Sequence, residues 1–178
     1  MSREPSAPST GDEPALDAPP RSAAPFKALG FMLSSLGFAV AAGFREQLAP
    51  LGIEPRDFAL LRAIGAAEGL SQQAISERLQ IPASRMVSFL DALQERGLLE
   101  RRPHPTDRRA RALYLTDAGR ALLAEAYAAA LEFETDLCRD LGPGERDELL
   151  ELLGKVHGTF GLPPGVHAAH LVPAAEGE

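Results

Sequence analysis

The sequence has one cysteine, no tryptophan, few aromatics and no surplus of positive charge, and each scarcity excludes something. With Cys138 alone, no intrachain disulfide can form, so a reducing cytoplasm is the expected compartment. Aromatics at 6% leave the core to Leu, Ala and Val, the filling of packed helices. The charge-free apolar stretch over residues 28–44 is shorter than the ~20 residues a membrane span needs, and Ser34, Ser35 and three glycines interrupt it. No membrane partner is expected. The N-terminus is acidic and proline-rich where a secretory signal is basic and then apolar. Gly-rich phosphate loops, Ser/His/Asp arrangements and paired catalytic carboxylates are all missing, so neither enzyme chemistry nor a cofactor is expected.

The net charge of -7 argues at first against nucleic acid, which usually attracts a basic protein. Its distribution reverses that. Residues 96–111 carry 6 basic against 2 acidic side chains, whereas 112–178 carry 4 basic against 12 acidic. The positive excess sits on Arg96, Arg101, Arg102, Arg108, Arg109 and Arg111, a patch able to face phosphates while the acidic end faces away. A solvated arginine-rich hairpin is the plainer alternative.

What is present is a change of rhythm over residues 71–116. Apolar residues recur at helical spacing twice, first in Ala74, Ile75 and Leu79, then in Met86, Val87, Phe89, Leu90 and Leu93. After Gly97 the pattern becomes extended, over 98–102 and 109–116, joined by PHPTDR, where Pro103 and Pro105 bar helix and Thr-Asp favours a turn. Two short helices and a basic hairpin make a winged helix-turn-helix, a device for reading DNA. The fold class expected is therefore mainly α with a small β-hairpin wing.

Either side of it the chain is helical. Residues 1–25 hold six prolines and little apolar surface, the composition of a disordered tail. From Phe26 a stripe of Leu29, Leu33, Leu36, Val40, Phe44 and Leu48 predicts a helix over 26–50, and Phe31, Met32 and Phe38 widen its apolar face enough to need a second subunit. Helices follow over about 55–67, 72–79 and 83–96, with Pro55 in a first turn, Ser71 as a cap and Gly97 just past an end. Thr116 caps a long helix over 117–140 with the stripe Leu122, Leu123, Ala126, Tyr127, Ala130, Phe133 and Leu137. After LGPG a last helix runs to about His157, and 161–178 is expected to fray.

Five fragments in this order and spacing resemble the MarR family of transcriptional regulators: LAPLGI at 48–53, FALL at 58–61, LDALQERGLL at 90–99, DRRA at 107–110 and LTDAGR at 115–120. The resemblance covers about residues 26–160, and Asp107 with Arg109 at the wing turn is its most characteristic part. It implies a homodimer in which 26–50 and 117–160 pair the chains and 54–116 forms the winged helix-turn-helix. It further implies a pseudo-palindromic operator in double-stranded DNA, usual action as a repressor, and release by a small aromatic or anionic effector. One departure concerns specificity: Ser88 stands where relatives often have Arg, and Arg85 where a small hydroxyl residue is common, so base preference is not carried over.

On this reading Ser84, Arg85 and Ser88 share one side of the fourth helix, with Arg85 the candidate for a bidentate contact to guanine. Arg109 is placed to enter the minor groove, oriented by Asp107, and Arg101, Arg102, Arg108 and Arg111 to touch phosphates. An effector cleft between the first, second and fifth helices, as in relatives, would be lined by Phe31, Phe38 and Phe58, with Arg62 or Lys27 meeting an anion. Ordinary core packing is the alternative for those aromatics. Cys138 is read as structural, since Asp136 and Asp140 disfavour a reactive thiolate, and His104 as a turn residue. His167 and His170 lack a third ligand, so no metal is expected. The rival to the regulator is a winged-helix interaction module that has lost DNA binding.

Replacing Arg109 by Ala is expected to weaken operator binding by about 1 to 3 kcal/mol while leaving the dimer intact. Unchanged affinity in a titration at fixed salt would refute the wing assignment.

Overall fold

The computed structural model describes residues 28–104 and 110–161. The expected tail over 1–25, nearly all of 161–178, and Phe26, Lys27, Pro105, Asp107, Arg108, Arg109, His167 and His170 lie outside the described residues. Two compact units divide the chain, Met1–Gly37 and Phe38–Glu178, with the division falling inside the first helix, α1 (Leu29–Leu48). In the first unit Leu29, Met32 and Leu36 are exposed.

The second unit holds everything from Phe38. A single 3-10 turn, Ala49–Leu51, follows α1 and is closed by Gly52, whose φ of 65° only glycine adopts without strain. The acids and proline at 54–57 start α2 (Pro55–Gly65) with a capping box: the Glu54 side chain accepts from the Asp57 N–H and Asp57 accepts from the Glu54 N–H. Ser71 caps α3 (Gln72–Leu79), its Oγ accepting from the Ala74 N–H at 3.2 Å. After Gln80, Ile81 and Pro82 comes α4 (Ala83–Glu95). Gly97, at φ 71°, closes it: its N–H donates to Gln94 O at 2.9 Å and that of Leu98 to Leu93 O at 3.0 Å, the paired bonds of a Schellman turn.

The wing is the antiparallel pair β1 (Leu99–Pro103) and β2 (Arg111–Leu115), in register Arg101 to Leu113 and Pro103 to Arg111. The linker before α3 adds a third line to this sheet, which periodicity did not reveal. Gly69 N–H donates to Leu113 O and Leu113 N–H to Leu70 O, both at 2.9 Å, and Ser71 bridges Ala112. That pull on the linker explains why α2 ends at Gly65, about two residues before the expected end. The two last helices are α5 (Asp117–Leu137) and α6 (Glu145–Thr159). The first of them stops short of 140 because Cys138 O accepts from Leu141 N–H at 2.9 Å, turning the chain, and Gly142 N–H then meets Glu145 Oε2 at 2.5 Å.

Two apolar clusters hold the unit together. The larger joins α2, α3, α4 and the wing through Leu60, Leu61, Ile64, Ile75, Met86, Leu90, Leu99 and Leu113, each wholly or almost wholly buried and worth about 2 kcal/mol of transfer free energy. The smaller gathers Leu48, Ile53, Phe58 and Ala126. Leu122 and Leu123 of α5 pack against both. Val87, which the sequence pattern grouped with the apolar stripe of α4, is instead 44% exposed. It follows Met86 by one residue, a rotation of about 100° away from the core. No helix among the described residues is long and apolar enough to cross a membrane.

The joint between wing and α5 has no slack. Thr116 Oγ1 donates to Gly97 O at 2.6 Å and accepts the Gly119 N–H at 3.0 Å, while Thr116 N–H donates to Leu98 O at 3.2 Å. A Cβ on Gly119 would stand 1.9 Å from Leu98 O. Helix propensity alone favours Ala there by about 1 kcal/mol, so a net loss reports the clash. Gly119→Ala is expected to destabilise the fold by about 1 to 3 kcal/mol in urea unfolding; equal or higher stability would contradict the close approach.

Candidate nucleic-acid interface

The inward side of α4 is fixed by Met86, Leu90 and Leu93, with Phe89 half-buried under the Arg56 guanidinium, 4.4 Å from its ring centre. Helical geometry then turns Ser84 and Ser88 outward one turn apart, with Arg85 beside them, and all three are exposed. The Ser88 hydroxyl donates to the Arg85 carbonyl at 2.9 Å. The Arg85 guanidinium has no side-chain partner among the described residues.

The helix ends add a signal that the sequence reading missed. Helices α2, α5 and α6 carry acids in the first turn, Asp57, Asp117 and Glu145 among them. Neither α3 nor α4 does, and Pro82 leaves α4 without a side-chain cap. The positive ends of these two helix dipoles, like that of α1, therefore face no acidic side chain in their own first turn. The clue was readable as the absence of Asp and Glu at 72–75 and 83–86.

The arginine patch divides in two. Arg96 donates to Gly52 O at 3.0 Å and lies 3.6 Å from Asp57, tying the end of α4 to the start of α2. Arg101 donates to Gln94 Oε1 at 2.6 Å and Asp91 Oδ1 at 2.7 Å, both on α4, and its side chain is only 20% exposed. Arg102 pairs with Glu100 and lies over the Tyr114 ring at 4.5 Å; the Glu100 hydrogen bond raises its already high pKa, so it stays charged. These three brace the chain. The Arg111 side chain is exposed with no partner among the described residues. Asp107, Arg108 and Arg109 are outside the described residues.

The residues read as an effector cleft fall in both units, Phe31 in the first and Phe38, Phe58 and Arg62 in the second. Phe58 is buried, meeting Phe44 edge-on at 5.9 Å and Tyr127 at 5.4 Å, and Phe44 meets Phe133 at 5.5 Å. The cluster was within reach of sequence reading, since Phe44, Tyr127 and Phe133 all lie on stripes that helical spacing exposes. Phe38 stands 80% exposed and Arg62 is exposed without a partner among the described residues. Phe31, in the first unit, is exposed, and Lys27 is outside the described residues. An open recess of about 530 Å3 lies elsewhere, between Gln47 and the α5 residues Leu131, Glu132, Thr135 and Asp136. Cys138 is half-buried, and among the described residues no group of His, Cys, Asp and Glu could hold a metal ion.

A helix pair followed by a two-stranded wing, with the first turn of the second helix free of acids and its polar side exposed, is the architecture of a DNA-binding transcriptional regulator. The model of the MarR family matches residues 51–110. The chain is 31% identical to a protein assigned to transcriptional regulation of the hcr operon in Thauera aromatica, over 72% of this chain and 82% of that one. Among solved structures it is similar to the transcriptional repressor CouR bound to a 23-mer DNA duplex, with 38% identity, a TM-score of 0.66 and coverage of 72% of this chain and 92% of that chain. CouR from Rhodococcus jostii RHA1 bound to p-coumaroyl-CoA matches at 26% identity and a TM-score of 0.63, over 79% of this chain and 96% of that chain. The chain belongs to the MarR family. The expected winged-helix fold is borne out, and these relatives are transcriptional regulators.

If Arg101 braces the wing and Arg111 meets phosphate, the two differ in salt dependence. Arg111→Ala should lower the slope of log K against log salt by about 0.9, and Arg101→Ala should leave it unchanged while coupling to Asp91→Ala by about 0.5 to 3 kcal/mol in an unfolding double-mutant cycle. A lowered slope for Arg101→Ala would make it a phosphate contact.

Proposed function

We propose that two copies of this chain bind one pseudo-palindromic operator in the cytoplasm and repress the genes beside it until a small aromatic or anionic ligand releases them. The observation that carries this reading is the outward end of α4, where an unpaired Arg85 stands beside the Ser84 and Ser88 hydroxyls at an uncapped helix terminus. There Arg85 would take guanine through its two-pronged guanidinium, and the serines would reach bases or phosphates. Arg108, Arg109 and Arg111, with Asp107 orienting Arg109, would supply the wing contacts. Arg101 and Arg102 would meet phosphate only by exchanging their carboxylate partners.

Dimerisation is supported by apolar surface that stands exposed among the described residues. Helix α6 buries no residue, and Leu149, Leu150, Leu152 and Leu153 are exposed on it, as are Leu131 and Leu137 on α5. Such surface on a small chain is the mark of a second subunit. The working domain would then be residues 26–160, with 26–50 and 117–160 pairing the copies, 54–116 reading DNA, and 1–25 and 161–178 as flanking tails. Two α4 helices would meet successive major grooves ~34 to 36 Å apart. An effector acts by binding the DNA-competent and incompetent arrangements unequally. The p-coumaroyl-CoA held by one CouR structure has the aromatic and anionic character expected of such a ligand. Phe31, Phe38, Phe58 and Arg62 remain the residues proposed to meet it.

Internal pairing of Arg96, Arg101 and Arg102 is also what an interaction module without DNA binding would show. Selection from random DNA separates the two. A two-fold symmetric sequence bound by a particle of twice the 18.9 kDa chain mass is the expected result. Recovery of no sequence, or a monomer at working concentration, would overturn the regulator.

A further inference from the structure

Val87 is the one large apolar side chain turned outward on the first two turns of α4, at 44% exposure, and it belongs to neither apolar cluster among the described residues. Its neighbours on that surface are polar: Ser84 one turn before, Ser88 next to it, and Asp91 one turn after. The Asp91 carboxylate is taken by Arg101 at 2.7 Å and the Ser88 hydroxyl by the Arg85 carbonyl at 2.9 Å. The helix would gain from another residue here, since a β-branched side chain loses χ1 freedom in a helix and exposed methyls order water. An apolar group in that place is explained by what it meets. In the major groove one base offers a matching surface, thymine, through its C5-methyl group.

We propose that Val87 is a specificity-determining residue that packs its γ-methyls against a thymine C5-methyl in each operator half-site. The proposal rests on the DNA-reading role of α4 given above. It differs from the hydrogen-bonding roles of Ser84, Arg85 and Ser88, because an apolar contact discriminates by the presence of one methyl group and is indifferent to donors and acceptors. Uracil has the pairing edge of thymine and lacks only that methyl, so deoxyuridine removes the contact and nothing else.

The test uses the full-length protein and the operator recovered from random-sequence selection, with each thymine of one half-site replaced in turn by deoxyuridine. Affinity is measured for the wild type and for Val87→Ala. At one position the replacement should weaken wild-type binding roughly four-fold, the effect of burying about one methyl. The same replacement should leave Val87→Ala unchanged, and that variant, with unaltered melting temperature, should bind the unmodified operator less tightly than the wild type. Equal effects of every deoxyuridine on both proteins would overturn the proposal, as would a half-site without thymine. Those outcomes leave DNA reading by α4 standing, whereas failure of the wild type to select any sequence removes both.

Discussion

Leu98 sits where three elements meet, and each uses its backbone: the N–H closes the last turn of α4 on Leu93, the carbonyl accepts from Thr116, and the same oxygen lies so near Gly119 that no Cβ fits between them. Thr116 reaches back to Gly97 as well, so the end of α4, the root of the wing and the start of α5 share one hydrogen-bonded knot. Arg120 tightens it from outside, donating to Leu115 O at 2.8 Å and to Glu68 at 2.9 Å, while Glu68 accepts the Leu115 N–H. A DNA-reading helix is useful only at a set angle to its wing. Here that angle is imposed by backbone contacts that no side-chain rearrangement can relax.

Charge is arranged with the same economy. An acidic chain must present cations locally to approach a duplex, yet of the four patch arginines among the described residues Arg96, Arg101 and Arg102 are bound within the protein. Arg96 and Arg101 hold α4 at two points, against α2 and against β1. Exposed ion pairs contribute little to stability, about 0 to 1 kcal/mol, so their work is geometric. On the function proposed above, attraction for phosphate falls to the acid-free first turns of α3 and α4, to Arg85 and to the wing arginines Arg108, Arg109 and Arg111. Acids crowd instead into the first turn of α6, where they stabilise that helix.

The apolar clusters divide the second unit into a part that stands alone and a part that does not. The winged half buries all its leucines but the partly buried Leu70, while α6 has no buried residue. Local stability follows buried contacts, so α6 in a lone chain is the segment with least to hold it. Between them, Leu122 and Leu123 touch both clusters, and the aromatic group of Phe44, Phe58, Tyr127 and Phe133 lies on the same side as the smaller one.

The helices, their caps and the wing were legible in the sequence, since capping, glycine stops and a change from helical to alternating rhythm are local effects. Ser71, Thr116, Pro55 and Gly97 act where residue chemistry places them. The family fragment LTDAGR was also legible, but its reason was not: Gly119 is demanded by a carbonyl twenty-one residues earlier, and Arg120 by Glu68. Tertiary structure alone decided which arginines are braces, that Val87 faces water and that the 69–71 linker joins the sheet. Sequence spacing records neighbours along one helix, while an ion pair, an exposed face or a linker bridged to the sheet depends on where a different element comes to rest.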